Sequence, residues 1–171
     1  MTDHFKHTLR SQFEAALTML LGCVEKCPAP HWDAKIASYT FWQVAYHTLC
    51  FVDVYLSPDD ASWRPRQDPG APGGGLHPRG RAELDDEYPS RRFEPRELVD
   101  YVEICRDKLA ATIDAETEVS LRGPSGFPRL QFSRAELHLY NLRHVQHHTG
   151  QLTASLRRVG VDVAWCKAGR R

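Results

Sequence analysis

One pattern constrains this chain more than any other feature. Apolar residues recur at steps of three and four in four separate stretches, and proline or glycine stops each one. Phe5, Leu9, Phe13, Ala16, Leu17, Leu20 and Val24 mark the first stretch, over about residues 3–26, and Cys27-Pro28-Ala29-Pro30 ends it. Tyr39 to Leu56 forms the second, with Val44, Thr48, Phe51, Val52 and Tyr55 on one side and Ser57-Pro58 beyond. Pro95 suits the first turn of a third helix, whose inner side carries Leu98, Tyr101, Val102, Cys105, Leu109 and Ile113. The fourth opens at Ser133-Arg134-Ala135-Glu136, the spacing of a capping box, and runs to Val159 before Gly160. No stretch alternates convincingly with period two, so the expected fold is all-α, a four-helix bundle.

The link between the second and third helices constrains the topology. Residues 58–94 include Pro69-Gly70-Ala71-Pro72-Gly73-Gly74-Gly75 and His77-Pro78-Arg79-Gly80, which read as a long irregular crossover. A link of that length can climb back along a helix, so these two helices are expected to run parallel. The acidic run Glu83, Asp85, Asp86 and Glu87, with Arg81, reads as a solvated loop face. The tail from Val161 to Trp165 is expected to pack one apolar patch. At 171 residues the chain is expected to be one domain, residues 1–171, built on a single core.

Composition narrows the partners. Lys+Arg 22 against Asp+Glu 22 gives zero formal net charge, which argues against a nucleic-acid surface, since that needs a clustered basic excess. No apolar run approaches the roughly 18 residues of a membrane span. Leu20-Leu21-Gly22-Cys23 looks like a lipoprotein cleavage box, but Asp3, Glu14 and the helical spacing of the apolar residues oppose that reading. The expected location is the cytoplasm. The five cysteines, Cys23, Cys27, Cys50, Cys105 and Cys166, are odd in number and scattered, so no disulfide framework follows and small buried apolar residues are the simpler account. Cys23 and Cys27, one helical turn apart, leave a redox pair as a minor alternative.

Chemistry concentrates in Asn141-Leu142-Arg143-His144-Val145-Gln146-His147-His148-Thr149-Gly150-Gln151-Leu152. His144 and His148 are four residues apart, so on a helix they stack on one face, beside Asn141 and Ser155 and at the edge of an arc of Val145, Leu152, Leu156 and Val159. His147 points away from the core. Two imidazoles hold a metal weakly, and a catalytic zinc-type site takes three protein ligands with a position left for water. His47, at a similar apolar boundary on the second helix beside Val44 and Phe51, fits as the third. The alternative is that all three border the core and bond only to backbone or water. His4, His7, His31, His77 and His138 read as surface residues. Trp32, Trp42, Trp63 and Trp165 are more simply explained by core packing than by a pocket mouth. Trp42, Tyr46 and Leu49 face outward on the second helix and are candidates for a subunit contact.

His47, followed by His144-Val145-Gln146-His147-His148-Thr149-Gly150-Gln151-Leu152 and Leu156-Arg157-Arg158-Val159-Gly160, resembles the DinB-like (YfiT-like) superfamily of metal-dependent enzymes. The resemblance covers nearly the whole chain. It implies a four-helix bundle of up-down-down-up topology, often a homodimer, with one divalent ion, commonly zinc or nickel, held by three histidines. Carried over by residue, the metal ligands are His47, His144 and His148. Characterised members are thiol-dependent transferases or isomerases, using mycothiol or bacillithiol, or metal-dependent hydrolases, and a related domain occurs in ergothioneine synthesis. The chain departs from the family in its long segment 58–94.

The leading expectation is therefore a metal-dependent enzyme acting on a small-molecule substrate, by thiol transfer with a low-molecular-weight thiol as cosubstrate or by hydrolysis. Asn141 and Gln151 are the candidate orienting or substrate-binding groups, and no catalytic acid or base is assigned. The competing expectation is a non-catalytic metal-binding protein of the stress response, or a structural dimer.

Overall fold

A computed structural model of the protein describes residues 2–59, 61–63 and 92–169. The Gly/Pro-rich run, His77, Arg81 and the acidic run Glu83 to Glu87 lie outside the described residues. The elements are α1 (Thr2–Lys26), α2 (Ala29–Trp32), β1 (Lys35–Ile36), β2 (Tyr39–Thr40), α3 (Phe41–Tyr55), α4 (Pro95–Ala115), α5 (Glu118–Arg122) and α6 (Arg134–Arg158). The four long helices coincide with the four apolar-periodic stretches, and the fold is all-α apart from a minimal hairpin. That hairpin, β1 with β2, pairs Lys35 with Thr40 and Ile36 with Tyr39, and its turn places Ala37 at φ 55°. Strands of two residues are too short to leave a period-two signature, which is why the sequence shows none.

Contacts between side chains give the helix directions. Lys6 donates to the carbonyls of Asp114 and Glu116, whereas Arg106 reaches Thr18, so α1 and α4 are antiparallel. Cys105 donates to the Leu49 carbonyl and Thr112 to that of Leu56, so α3 and α4 run parallel. His47 meets His144 and Tyr55 meets Tyr140, so α3 and α6 are antiparallel. Thr2 bonds to Glu118, just ahead of α6, and Cys23 lies against Thr153, so α6 runs with α1. The bundle is up-down-down-up. Helices α1 and α3 each pack on both α4 and α6, and form one diagonal of the bundle.

The centre is filled from all four helices, including Phe13, Leu17 and Leu20, then Leu49 and Val52, Leu98 and Leu109, and Leu137, Val145 and Leu152. Each fully buried side chain of this kind contributes about 1.5–3 kcal/mol relative to leaving it exposed. No helix among the described residues is long and apolar enough to cross a membrane.

Four expectations from helical periodicity need correction. Trp42, Tyr46 and Leu49 do not face outward: they are buried, because α3 is apolar around most of its circumference and Phe93 stacks on Tyr46 with ring centroids 4.5 Å apart. His138 is not a surface residue. It is fully buried, with Nε2 2.8 Å from a Glu116 oxygen. Val159 and Trp165 are exposed, at 40% and 73%, whereas the tail does pack an apolar patch, with Val163 in the core beside Gly22 and Val161 against it. Ser133 caps α6 by accepting from the Glu136 amide, and the reciprocal bond is absent; complete capping boxes instead open α3, at Thr40 and Gln43, and α5, at Thr117 and Ser120. Of the four tryptophans, Trp32, Trp42 and Trp63 are in the core as expected.

Two buried polar networks brace the C-terminal end of α3. Arg134 donates to a Glu116 oxygen at 2.9 Å and to the carbonyls of Tyr55 and Ser57, supplying partners for the open end of that helix. Burial alone would raise the Glu116 carboxyl, but hydrogen bonds from His138, Arg134 and Ser120 hold it down to about 2. Asp53 accepts from Tyr101, Trp63 and Lys108, which fastens α4 and the start of the crossover to α3.

Candidate metal centre

His47 lies on α3 and the other two histidines on α6, at the level where these antiparallel helices face each other. The Thr40 hydroxyl accepts from the Gln43 amide, and the Gln43 side chain accepts from the Thr40 amide at 2.9 Å, which holds the first turn of α3 two turns before His47. On α6 the i,i+4 spacing stacks His144 and His148 with ring centroids 4.5 Å apart. The His47 ring is 5.1 Å from His144 and 4.8 Å from His148. One nitrogen from each of the three lies within 4.8 Å of the others. His47 Nε2 and His144 Nε2 are 3.2 Å apart. Two imidazoles on one tetrahedral ion at bond lengths of about 2.0–2.1 Å place their nitrogens about 3.3 Å apart, so this spacing fits a shared ion as well as an N–H···N hydrogen bond.

The surroundings favour the neutral form of His144 and His148. Burial, then the neighbouring rings of His148, His47 and His147, push His144 down to about 2. Burial also lowers His148, against a hydrogen bond with Gln151 that works the other way. Phe51 packs against His47 and His144, with centroids at 4.8 and 5.3 Å, and gives the cluster an apolar wall. A neutral imidazole is the form that donates a lone pair to a metal, and a set of three suits zinc, nickel, copper or iron. The residues present therefore offer a donor set that fits a divalent ion.

The candidate orienting groups separate. Gln151 touches the cluster: its carbonyl oxygen is 3.0 Å from His148 Nδ1 and its amide nitrogen 3.2 Å from Nε2 of the exposed His147. Asn141 is fully buried and donates weakly, at 3.4 Å, to the Val52 carbonyl, so it lies between α6 and α3. His148 and Gln151 also line a cleft of about 660 Å³ between the hairpin and the end of α6, which Lys35, Tyr39, Ser155 and Arg158 share. Nothing in the local sequence pattern singled out Lys35 or Arg158, because both are exposed charged residues outside any apolar period.

Residues 12–152 match the model of the DinB superfamily. The chain belongs to the DinB superfamily. The matched region runs from α1 to Leu152 and contains all three clustered histidines. No curated protein and no solved structure matches the chain. As a DinB-superfamily member the protein combines the expected helical fold with a histidine group able to hold a metal ion. The alternative of a Cys23–Cys27 redox pair fares worse. Both thiols are free, and burial, with Cys23 alongside, pushes Cys27 up to about 11, where little thiolate forms near neutrality.

Proposed function

We propose that this DinB-superfamily chain is a metal-dependent enzyme whose single divalent ion, zinc or nickel, is held by His47, His144 and His148. The observation that carries the reading is the convergence of three imidazoles from two helices, one of them shared with a cleft of small-molecule size. Bound there, such an ion supplies Lewis acidity, which makes a small thiol or a water nucleophilic near neutral pH. The chain's own part is positional. Gln151 accepts the Nδ1 proton of His148 and so leaves Nε2 as the ring's free donor. Phe51 and the packed helices keep water from the inner side of the cluster. Family likeness puts thiol transfer ahead of hydrolysis as the chemistry to assay first.

Metal content per chain tests the proposal, measured by elemental analysis of untagged wild type and of His47→Ala, His144→Ala and His148→Ala. Near-stoichiometric metal in wild type that is lost in each variant supports the site. Wild type that stays metal-free after reconstitution overturns it. If the variants then keep their fold and lose thiol-transfer or hydrolytic activity, the ion is catalytic; if they unfold, it is structural, since metal binding energy then stabilises the fold.

A further inference from the structure

We infer that the cleft beside His148 takes a small organic anion, with Lys35 and Arg158 as the cations that recognise its carboxylate or phosphate. Calling that anion the substrate rests on the metal-site reading above; its binding does not. The cleft, at about 660 Å³, is within the roughly 300–1,000 Å³ of small-ligand pockets. Its walls come from three places: the hairpin with Lys35 and Ile36, Val44 of α3, and the last turns of α6 with Ser155 and Arg158. Both charged residues in that wall are cations, and no carboxylate lines the cleft among the described residues. This is not a general basic excess, because the whole chain balances 22 basic against 22 acidic residues.

Pairing distinguishes these two cations from their neighbours. Arg157, one residue before Arg158, lies 3.5 Å from Asp162, and Lys26 donates to the Asp162 carbonyl at 2.9 Å. Lys35 and Arg158 make no ion pair among the described residues. Arg158 offers a planar fork suited to a carboxylate or phosphate, and Lys35 a mobile point charge. Ile36 and Val44 supply apolar contact for the body of the ligand. The reacting end would then reach the side of the cleft where His148 stands.

The test uses benzoate, phenyl phosphate and neutral benzamide as probes of the full chain, followed by amide chemical shifts, with and without zinc. In metal-free protein, where no ion can hold the anion, benzoate or phenyl phosphate should shift residues 35–39 and 154–158. Benzamide should bind about tenfold or more weakly. The tighter of the two anions identifies the head group. A Lys35→Ala/Arg158→Ala double variant should lose anion binding at unchanged thermal stability, since both side chains are exposed. His47→Ala, outside the cleft wall, should keep it, so failure of the metal reading leaves this result standing. Benzamide binding as well as benzoate, retention of affinity in the double variant, or no shift with either anion would each overturn the inference.

Discussion

The carbonyl oxygen of Gln151 sits 3.0 Å from Nδ1 of His148, one helical turn along α6. A carbonyl oxygen only accepts, so this contact places the His148 proton on Nδ1 and leaves the lone pair on Nε2. Gln151→Leu should therefore weaken zinc binding about 10–100-fold, the usual effect of losing an outer partner of a metal-binding histidine. Gln151→Glu keeps an acceptor and should retain most of the affinity. Competition against a chromophoric chelator measures both, and unchanged affinity in the leucine variant would remove Gln151 from the site.

Acid should destabilise the metal-free protein in two overlapping stages. Unfolded, His144 takes a proton below about its ordinary 6.5, whereas in the fold it stays neutral down to about 2. Protons then favour the unfolded chain, and a contribution fully present above 6.5 is lost as the pH falls toward 2. His148 is shifted in the same direction. Glu116 adds a lower window: its stabilisation is complete above 4.5 and gone once the pH has fallen through about 2. Urea midpoints should decline from about pH 6.5 downward, and His144→Asn should flatten the upper part of that decline. A midpoint constant down to pH 4.5 would contradict the burial of His144.

Glu116 should matter more than any exposed ion pair. Its carboxylate accepts from Arg134, His138 and Ser120, and Arg134 and His138 are themselves buried. Glu116→Ala leaves the guanidinium without its counter-charge, and should lower the unfolding free energy by about 3–5 kcal/mol. Arg122→Ala, which removes an exposed pair with Glu118, should change it by less than about 1 kcal/mol. Equal effects in chemical denaturation would show that the Glu116 network contributes nothing beyond a surface bridge.

Position in the bundle should also decide the effect of deleting apolar groups. Leu49→Ala opens space at a fully buried site and should cost about 2–5 kcal/mol. Trp165→Ser removes a larger side chain, yet at 73% exposure it should stay within about 0.5 kcal/mol of wild type. A large loss of stability on changing Trp165 would mean that this side chain packs on the core after all.

Periodicity located the long helices closely because burial repeats along each of them, as at Leu98, Tyr101, Val102, Cys105, Leu109 and Ile113. The same arithmetic failed for Trp42, Tyr46 and Leu49, since a helical wheel assumes one wet side and α3 has Phe93 laid over that side. His138 was misread for a related reason: its partner Glu116 is 22 residues away, and no local spacing announces the pair. His47, His144 and His148 were legible as a group because the i,i+4 pair is local and His47 stands at a similar apolar boundary on the second helix, a choice that family likeness repeats. Lys35 and Arg158 were not, because the hairpin that brings one of them to the cleft is two residues deep on each side.

Trp63 bonds to Asp53 at one end of the crossover, and at the other Trp32 donates to the Phe93 carbonyl while Phe93 stacks on Tyr46. The two rivets lie seven residues, about 10 Å, apart along α3. Both rivets thus seat on α3, the helix that also carries His47. One rigid element therefore sets the position of both the crossover's ends and one histidine of the cluster.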